Sequence, residues 1–480
     1  MGRYHFIAIG GIGMSGLAKY LLEDGHTVSG SDIVDSKYVD KLRKLGAKIF
    51  IGQKAENVPK DAIIIKSTAI RDNNPEVVRA KELGLPIYHR SDLLAEIAKS
   101  AQDSGKCFIG FSGTHGKTTT SGMASFVLEK GGLKPSFVDG GIIPEINTNA
   151  QHKSGKQFVA ELDESDGTIV KYHPDILVIN NLEEDHLDFY KNGMSDLVKT
   201  FNQAISQAKK VLVNIDNAGI QELNGDFITF GLDEADYVAK NIEFSQDGTT
   251  FEIYFKGKLL TDIKLQLAGV HNVYNSLAVV AALNEAGVDV RAIKDYFFEF
   301  TGMGRRFQKV CEVRGAEVYD DYAHHPTEIK ATLDAAALKF GKNNIVAVFQ
   351  PHRYTRLKSL WSEFKNAFAE AGRVVVTDVY AASEDPIEGI SGEAFAKDLG
   401  AEYLGGNMQE VAEKLLPTLE NGNVVIGLGA GTITALGKEL DGANKEMLLL
   451  KIQPTILGHS LALRERPANR ELKRERACLM

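Results

Sequence analysis

The sequence contains few cysteines and no long apolar segment. Among its 480 residues are three cysteines, Cys107, Cys311 and Cys478. They are scattered and odd in number, which indicates neither a disulfide framework nor a zinc site and favours a reducing cytoplasm. No apolar run approaches the roughly 20 residues of a membrane-spanning helix. The segment His5–Ile9 reads as a strand, which leaves no room for a signal peptide.

A large excess of positive charge is also absent. The chain has 55 Lys and Arg against 64 Asp and Glu, a net charge of −9, which argues against a general nucleic-acid-binding protein. The 44% apolar and 25% charged content is that of an ordinary soluble globular protein. A chain of this length is too long for one hydrophobic core and predicts two to four domains.

Short apolar runs alternate with longer helical patterns such as Met14–Glu23, Thr119–Lys130 and Asn272–Ala286. This alternation predicts α/β domains with parallel sheets. The predicted strands are His5–Ile9, Ala62–Ile65, Cys107–Phe111, Ile176–Ile179, Val211–Asn214, Ile345–Phe349, Val374–Thr377 and Val424–Gly427. We expect domains at residues 1–100, 101–300 and 301–444, followed by a charged tail, 445–480, that is weakly attached or disordered.

A first glycine-rich turn follows the first strand. Gly11, Gly13 and Gly16 match G-x-G-x-x-G, and Asp32 follows the second strand. The pattern indicates a diphosphate at a helix N-terminus, with Asp32 able to accept from a ribose hydroxyl. NAD is the usual ligand of such a turn, but the motif alone does not identify the diphosphate, and a tight packing turn is the simpler alternative.

A second glycine-rich turn has the end of a P-loop. Its backbone N–H groups would cradle the phosphates of ATP, with Lys117 on the β and γ oxygens and Thr118 on Mg²⁺. Phe111 stands where the strict P-loop has its first glycine. Gly113 is therefore the first residue of this loop whose lack of a side chain lets the backbone come close to a phosphate. The predicted ATP-binding residues are Gly113, Thr114, His115, Gly116, Lys117, Thr118 and Thr119. Two phosphate-binding turns suggest ATP and a second, phosphate-bearing substrate.

Carboxylates follow two further strands of the middle block. Glu161 ends one strand, and His186 lies in an acidic run after another. Acidic groups at the carboxyl ends of strands suit a hard cation such as Mg²⁺, and both residues could complete a site beside Thr118. For Glu183 and Glu184 in the same run, solvated loop charges are the favoured interpretation.

Three polar clusters in the last block also favour a site over packing. They lie near predicted strand ends and combine arginines, histidines and an aspartate pair, and arginine forks suit carboxylate and phosphate oxygens. The clusters are Arg305–Gln308, Asp320–Glu328 and Gln350–Arg356.

Taken together, these segments resemble the Mur ligases of bacterial cell-wall synthesis. The resemblance covers about residues 3–440. Its motifs are Gly10–Ala18, Gly113–Thr120, Ala160–Gly167, Asn181–Asp188, His271–Ala278, Arg305–Gln308, Asp320–Glu328 and Gln350–Arg356. It implies a Rossmann-like N-terminal domain for a UDP-sugar, a central P-loop-type ATPase domain and a Rossmann-like C-terminal domain.

The segments look most like the family member that joins L-alanine to UDP-N-acetylmuramate. The resemblance implies that ATP, with Mg²⁺, phosphorylates the lactyl carboxylate and that the amine of L-alanine then displaces phosphate. It implies catalytic and metal roles for Lys117, Thr118, Glu161 and His186, and nucleotide contacts from Asn272, Asn275, Arg305, Arg306 and Asp321. It places His324, His352, Arg353 and Arg356 at the amino acid, and Gly11, Gly13, Asp32, Ser67 and Thr68 at the UDP end.

Three alternatives stay open at this point. A related recycling ligase attaches a tripeptide to the same UDP-sugar. An NAD-dependent dehydrogenase would explain the first turn but not the P-loop, and a non-catalytic nucleotide sensor would not need Lys117, Glu161 and His186. No lysine can be assigned the carbamylated role that some family members use, and Thr432 stands where Asp is frequent. We expect a monomer or homodimer with no nucleic-acid or membrane partner.

Overall fold

The computed structural model describes residues 2–184, 189–245, 248–382 and 384–447. Two compact units divide the chain. The first contains residues 1–308, 321–342 and 366–370, and the second contains 309–320, 343–365 and the described residues from 371 onward. In the described ranges, no helix has both the length and the apolar content needed to cross a membrane.

The N-terminal part of the first unit is a five-stranded parallel sheet with the strand order β3-β2-β1-β4-β5. The order reverses between β1 and β4, where open α/β sheets bind ligands at their carboxyl edge. The strands are β1 Arg3–Ile7, β2 Thr27–Asp32, β3 Lys48–Ile51, β4 Ile63–Lys66 and β5 Ile87–His89. The helices are α1 Ile12–Glu23, α2 Lys37–Lys44, α3 Pro75–Glu82 and α4 Arg90–Asp103.

The middle part is a ten-stranded mixed sheet, ordered β15-β14-β13-β12-β11-β10-β6-β9-β7-β8. Its central strands are parallel and apolar throughout, as in Ile176–Ile179, because helices cover both faces. The strands are β6 Cys107–Ser112, β7 Ser136–Ile143, β8 Thr148–Gln151, β9 Gln157–Glu161, β10 Ile176–Ile179, β11 Lys210–Asn214, β12 Ile228–Gly231, β13 Tyr237–Ser245, β14 Gly248–Phe255 and β15 Lys258–Leu265. The helices are α5 Lys117–Lys130, α6 Met194–Gln207, α7 Val270–Glu285, α8 Val290–Ile293 and α9 Tyr296–Glu299.

The third sheet has six strands in the order β16-β17-β21-β18-β19-β20. Its strands are β16 Gln308–Val313, β17 Ala316–Asp321, β18 Ile345–Phe349, β19 Arg373–Val376, β20 Glu402–Tyr403 and β21 Val424–Leu428. The helices in this stretch of the sequence are α10 Pro326–Phe340, α11 Tyr354–Ser359, α12 Trp361–Ala367, α13 Gly392–Leu399 and α14 Met408–Leu415. The predicted α/β class with parallel sheets is confirmed, and each predicted strand overlaps an observed one.

Helix α1 joins the first two sheets into one hydrophobic core. Phe6 and Leu17 belong to the same buried cluster as Phe108 and Phe158 of the middle sheet. A Cβ added to Gly16 would lie 2.7 Å from Nδ2 of Asn149 on β8. The third glycine of the first motif therefore permits close packing of α1 on the middle sheet.

Candidate active site

The second glycine turn connects β6 to α5 in a conformation that needs both of its glycines. Gly113 and Gly116 have φ values of 120° and 82°, which L side chains rarely adopt. A Cβ on Gly113 would lie 2.8 Å from the Asn181 carbonyl oxygen, and one on Gly116 would lie 2.8 Å from Oδ1 of Asn275. Within the described ranges no side chain caps α5, so its first N–H groups remain available to phosphate oxygens.

Two asparagines after β10 hold this loop, and the sequence had not indicated a role for them. Asn181 accepts a hydrogen bond at Oδ1 from the His115 N–H (2.7 Å) and at its carbonyl from the Thr114 N–H (3.2 Å). Asn180 donates from Nδ2 to Oγ1 of Thr120 at 3.1 Å. The available signal was their position at the carboxyl end of the strand that pairs with β6.

Lys117, the first residue of α5, is paired inside the loop. Its Nζ donates to the carbonyl oxygens of Gly113 (2.7 Å) and Thr114 (3.1 Å) and to Oε1 of Glu164 (3.0 Å). Burial works against the ammonium ion, but Glu164 and Asp163 outweigh it and raise the pKa of Lys117. Burial raises the pKa of Glu164 to about 7, against the pull of Lys117. The lysine is thus a charged group already positioned at the phosphate loop.

Glu161 and Thr118 lie against the same glycine pair of β7. Glu161 ends β9 opposite Phe111 of β6, and its Oε2 accepts from the Gly140 N–H at 3.1 Å. A Cβ on Gly141 would lie 3.1 Å from Cγ2 of Thr118. A carboxylate and a hydroxyl beside the phosphate loop are donors of the type that Mg²⁺ prefers. The predicted ligand His186 falls in residues 185–188, outside the described ranges.

Asp139 is a buried residue of β7, directly before the two glycines that contact Glu161 and Thr118. We call the place where Glu161 and Thr118 meet β7 the metal-type site. Among the described residues, neither of its carboxylate oxygens has a hydrogen-bond partner. Burial raises the pKa of Asp139 well above its usual range, and Glu161 adds to the rise; the hydroxyls of Ser121 and Ser125 lie close enough to oppose it but make no hydrogen bond of normal geometry. The surroundings of Asp139 therefore favour its protonated form.

Replacing Asp139 by Asn should stabilise the protein at neutral pH. A carboxyl whose folded pKa is raised destabilises the fold progressively as pH rises from its unfolded pKa towards its folded pKa. The neutral amide removes this dependence, so D139N should gain on the order of 1 kcal/mol at pH 7.5. Urea unfolding in metal-free buffer should show the gain shrinking towards pH 4. A gain that persists unchanged at pH 4 would contradict the buried-proton explanation.

His115 of the phosphate loop lies between two carboxylates from different segments. Its Nδ1 is 3.3 Å from Oε1 of Glu328, at the start of α10, and its Nε2 is 3.4 Å from Oε2 of Glu183. Burial disfavours the imidazolium, but Glu183 and Glu328 outweigh it and raise the pKa of His115 to about 9. The interpretation of Glu183 as a solvated loop charge is therefore wrong, because Glu183 also accepts from Oγ1 of Thr327 at 3.0 Å.

The ring of His325 lies 5.0 Å from that of His115. His115, Glu183 and His325 offer ligand atoms within 4.8 Å of one another, close enough for a metal ion. An imidazolium paired with two carboxylates has no lone pair for a metal, so an ion-pair network is the better description of the cluster. The network joins the phosphate loop to the segment that opens α10.

Replacing His115 by Asn should weaken this network in a pH-dependent way. A histidine with a raised folded pKa stabilises the fold fully below pH 6.5, and the contribution is lost as pH rises through about 9. We expect H115N to lower the free energy of unfolding by about 1–3 kcal/mol at pH 6.5, with the difference narrowing as pH rises from 6.5 towards about 9. Urea unfolding of both proteins between pH 6.5 and about 10 measures this difference in free energy. The substitution His173→Asn, at an exposed histidine, is the control. If the free energy of unfolding differed between H115N and wild type by the same amount at every pH, the charged form of His115 would not be the source of the stabilisation.

The segment after β17 is held by Asp321. Its Oδ2 accepts from the Phe307 N–H and its Oδ1 from the Ala323 N–H, both at 2.7 Å. Burial raises the pKa of Asp321 to about 6, against the attraction of Arg306. The guanidinium groups of Arg305 and Arg306 lie over the Tyr322 ring at 4.9 and 5.4 Å. Asp321 and Arg305, predicted as nucleotide contacts, thus belong to one folded segment.

Among the other predicted residues of this unit, Nδ1 of His324 lies 3.3 Å from Oε2 of Glu328. Asn272 and Asn275 are buried on α7 and joined by a 3.2 Å hydrogen bond. Asn275 also lies against the phosphate loop, because its Oδ1 would be 2.8 Å from a Cβ built on Gly116.

The first glycine turn leaves the N-terminus of α1 open. Gly11 is the N-cap, and in the part of the chain that the structure describes it has no side-chain cap hydrogen bond. Asp32 is buried and accepts from the Gly10 N–H (2.8 Å) and the Val34 N–H (3.0 Å), so it holds the turn. Ser67 and Thr68 follow β4, the neighbour of β1 at the switch point, and Thr68 is exposed.

In the second unit, the residues after β18 form their own cluster. The rings of His352 and Tyr380 stack with centroids 5.4 Å apart, and Nη1 of Arg356 lies 3.3 Å from Nδ1 of His352. Arg353 has a φ of 71° and donates its N–H to the Tyr380 carbonyl at 2.8 Å. Thr432 accepts at Oγ1 from Nε2 of Gln350 at 2.9 Å, so its hydroxyl ties the glycine turn after β21 to the loop after β18.

Comparisons with known proteins identify the family. Residues 3–102 match the Mur ligase family catalytic domain, residues 111–283 the Mur ligase middle domain, and residues 305–431 the Mur ligase glutamate ligase domain. The chain belongs to the Mur ligase family, and its predicted three-domain α/β architecture is confirmed.

Several relatives share one specific name. The UDP-N-acetylmuramate–L-alanine ligase of Pelobacter propionicus is 41% identical over 451 residues, 91% of this chain and 97% of that protein. That of Syntrophus aciditrophicus is 40% identical over 457 residues, 92% and 94% of the two chains. The solved UDP-N-acetylmuramate-alanine ligase of Thermotoga maritima has a TM-score of 0.79 at 31% identity, covering 93% of this chain and all of that one. A murein peptide ligase of Psychrobacter arcticus has a TM-score of 0.69 at 21% identity over 92% and 98% of the two chains, a likeness of fold alone.

Proposed function

We infer that this chain joins L-alanine to the lactyl carboxylate of UDP-N-acetylmuramate with the hydrolysis of ATP to ADP and phosphate, in the synthesis of peptidoglycan precursors. The observation that carries the inference is the presence of two phosphate-binding turns in one compact unit, at Gly11–Gly13 and Gly113–Thr118. Relatives of this specific name, matching over nine-tenths of the chain, supply the two substrates. A dehydrogenase leaves the second turn without a purpose.

The charged groups at the second turn suit phosphoryl transfer to a carboxylate. A carboxylate oxygen attacks the γ-phosphorus, ADP leaves, and the acyl phosphate then has a good leaving group for attack by the amine. Lys117 would contact the β and γ oxygens and compensate for charge that develops during transfer, and its fixed position in the loop supports this role. Thr118 and Glu161 would hold Mg²⁺, which when bound neutralises phosphate charge.

The remaining assignments are proposals of the same kind. His186 would complete the metal site, and Asn272, Asn275, Arg305, Arg306 and Asp321 would serve the nucleotide. His324, His352, Arg353 and Arg356 would face the amino acid, and Asp32, Ser67 and Thr68 the UDP end. A cytoplasmic location and a monomer or homodimer remain predictions.

A substrate panel tests the choice of amine. Product formation should be measured by mass spectrometry with ATP, Mg²⁺, UDP-N-acetylmuramate and one amine at a time: L-alanine, glycine, L-serine or the L-alanine-containing tripeptide. We expect the highest kcat/KM with L-alanine and roughly a tenfold lower value with glycine, which lacks one methyl group. Turnover with the tripeptide and none with L-alanine would establish the recycling ligase instead.

A further inference from the structure

One arginine lies beside the first phosphate-binding turn and is held by a carboxylate of the middle domain. Arg90 is the first residue of α4, and its Nη2 donates to Oδ2 of Asp163 at 3.0 Å. On the other side, a Cβ added to Gly13 would lie 3.4 Å from Nη1 of Arg90. The guanidinium therefore borders the opening of α1 while it is held by a carboxylate of the middle domain.

The carboxylate that holds Arg90 is itself fixed by the chain after β9. Asp163 lies two residues beyond Glu161, the last residue of β9, and its Oδ1 accepts from the Ser165 N–H at 3.1 Å. Its side chain is 31% exposed. Asp163 is thus held in place on the middle domain while its Oδ2 holds Arg90.

We propose that Arg90 binds the diphosphate of the UDP-sugar at the first turn, with Asp163 as the positioning residue that aims it. This inference rests on the proposed function, because it takes the ligand of the first turn to be a nucleoside diphosphate. It adds a binding residue that the glycine motif did not indicate.

A cation would add charge that the first turn does not itself supply. The N-terminus of α1 supplies backbone N–H groups but no full positive charge, whereas a diphosphate carries at least two negative charges. The Arg90 side chain is 35% exposed, so a ligand can reach it. Its contact with Asp163 uses one of five donors, and among the described residues no other hydrogen-bond acceptor engages the guanidinium. The planar fork suits phosphate oxygens.

Gly13 contributes to the same geometry. A side chain at this position would occupy the space between the helix N-terminus and Nη1. The glycine keeps open the place where a phosphate oxygen could accept from the backbone and from Arg90 together. The salt bridge alone would be explained equally well by a purely structural connection between α4 and the middle domain, so the test must separate the two roles.

The full-length Arg90→Gln variant separates them when two ligands are compared. UDP contains the diphosphate and uridine does not, so calorimetric titration with each reports the diphosphate contribution alone. We expect R90Q to bind UDP and UDP-N-acetylmuramate roughly 10- to 100-fold more weakly while its affinity for uridine is unchanged. The KM for ATP should change less than threefold. Arg79→Gln, in the same domain and paired with Glu82 on the surface of α3, is the matched control.

The Arg90→Lys variant keeps the charge without the fork and guards against misfolding of R90Q. We expect R90K to show an intermediate loss for UDP and none for uridine. An equal loss for UDP and uridine, or no loss for either, would overturn the proposal and leave Arg90 as a structural link. If the wild-type protein binds neither UDP nor UDP-N-acetylmuramate, the proposed function itself fails, and that result is distinguishable from a failure of Arg90 alone.

Discussion

Lys117→Ala should reduce the rate of phosphate release at least roughly 1,000-fold and leave the affinity for UDP-N-acetylmuramate within about twofold of wild type. Nζ of this residue is held by two loop carbonyls and Glu164, so it is positioned before ATP arrives. Its removal deletes a cation of the second turn, where we propose that the phosphoryl group is transferred, and leaves the first turn intact. A coupled assay for phosphate and calorimetry with the UDP-sugar measure the two quantities.

Lys130→Ala is the matched control, because Lys130 is the last residue of the same helix and pairs with Glu299 at the surface. It should retain full activity. Loss of both phosphate release and UDP-sugar binding in K117A would indicate misfolding or a wrong assignment of the two sites. Activity above about a tenth of wild type would show that Lys117 does not act on the phosphates.

Glu161→Gln should have the second largest effect, about 100-fold on kcat/KM, with a shift of the half-saturating Mg²⁺ concentration to a value roughly tenfold higher. The amide is the same size as the carboxylate, but it lacks the charge that a divalent cation needs. Titrating Mg²⁺ at fixed ATP and UDP-sugar concentrations measures the shift.

The control for Glu161 is Glu222→Gln, an exposed carboxylate of the same sheet domain. It should leave the Mg²⁺ dependence unchanged. If E161Q reduced turnover but kept the wild-type Mg²⁺ midpoint, Glu161 would act on the substrate and would not be a metal ligand. If E161Q changed neither quantity, the metal-type site beside Gly140 would be excluded.

Much of the fold could be predicted because its strands and glycine turns are each determined by residues that are neighbours in the sequence. Parallel strands buried on both faces are continuous apolar runs, so Ile176–Ile179 and Ile345–Phe349 appear in the structure with the predicted bounds. The second glycine turn was also predictable, since the positive φ of Gly113 and Gly116 leaves glycine as the natural residue at each position. Phe111, which departs from the strict P-loop, is a fully buried core residue of β6.

The contacts around the loop were not predictable, because they join segments far apart in the sequence. His115 meets Glu183 and Glu328, which lie 68 and 213 residues further along the chain (183 − 115 = 68). An acidic run gives no sign of which carboxylate will pair, so Glu183 looked like an ordinary surface charge. Arg90 and Asp163 are 73 residues apart and carry no motif. Only the folded structure, which brings these distant segments together, reveals the pairs.

Isotope transfer from the UDP-sugar to phosphate tests the central claim most directly. UDP-N-acetylmuramate labelled with ¹⁸O in its lactyl carboxylate should be incubated with ATP, Mg²⁺, L-alanine and the enzyme, and the released phosphate analysed by mass spectrometry. An acyl phosphate requires one carboxylate oxygen to leave with the phosphoryl group, so each phosphate released should contain one ¹⁸O atom. Unlabelled phosphate accompanying the amide product would contradict carboxylate activation by ATP.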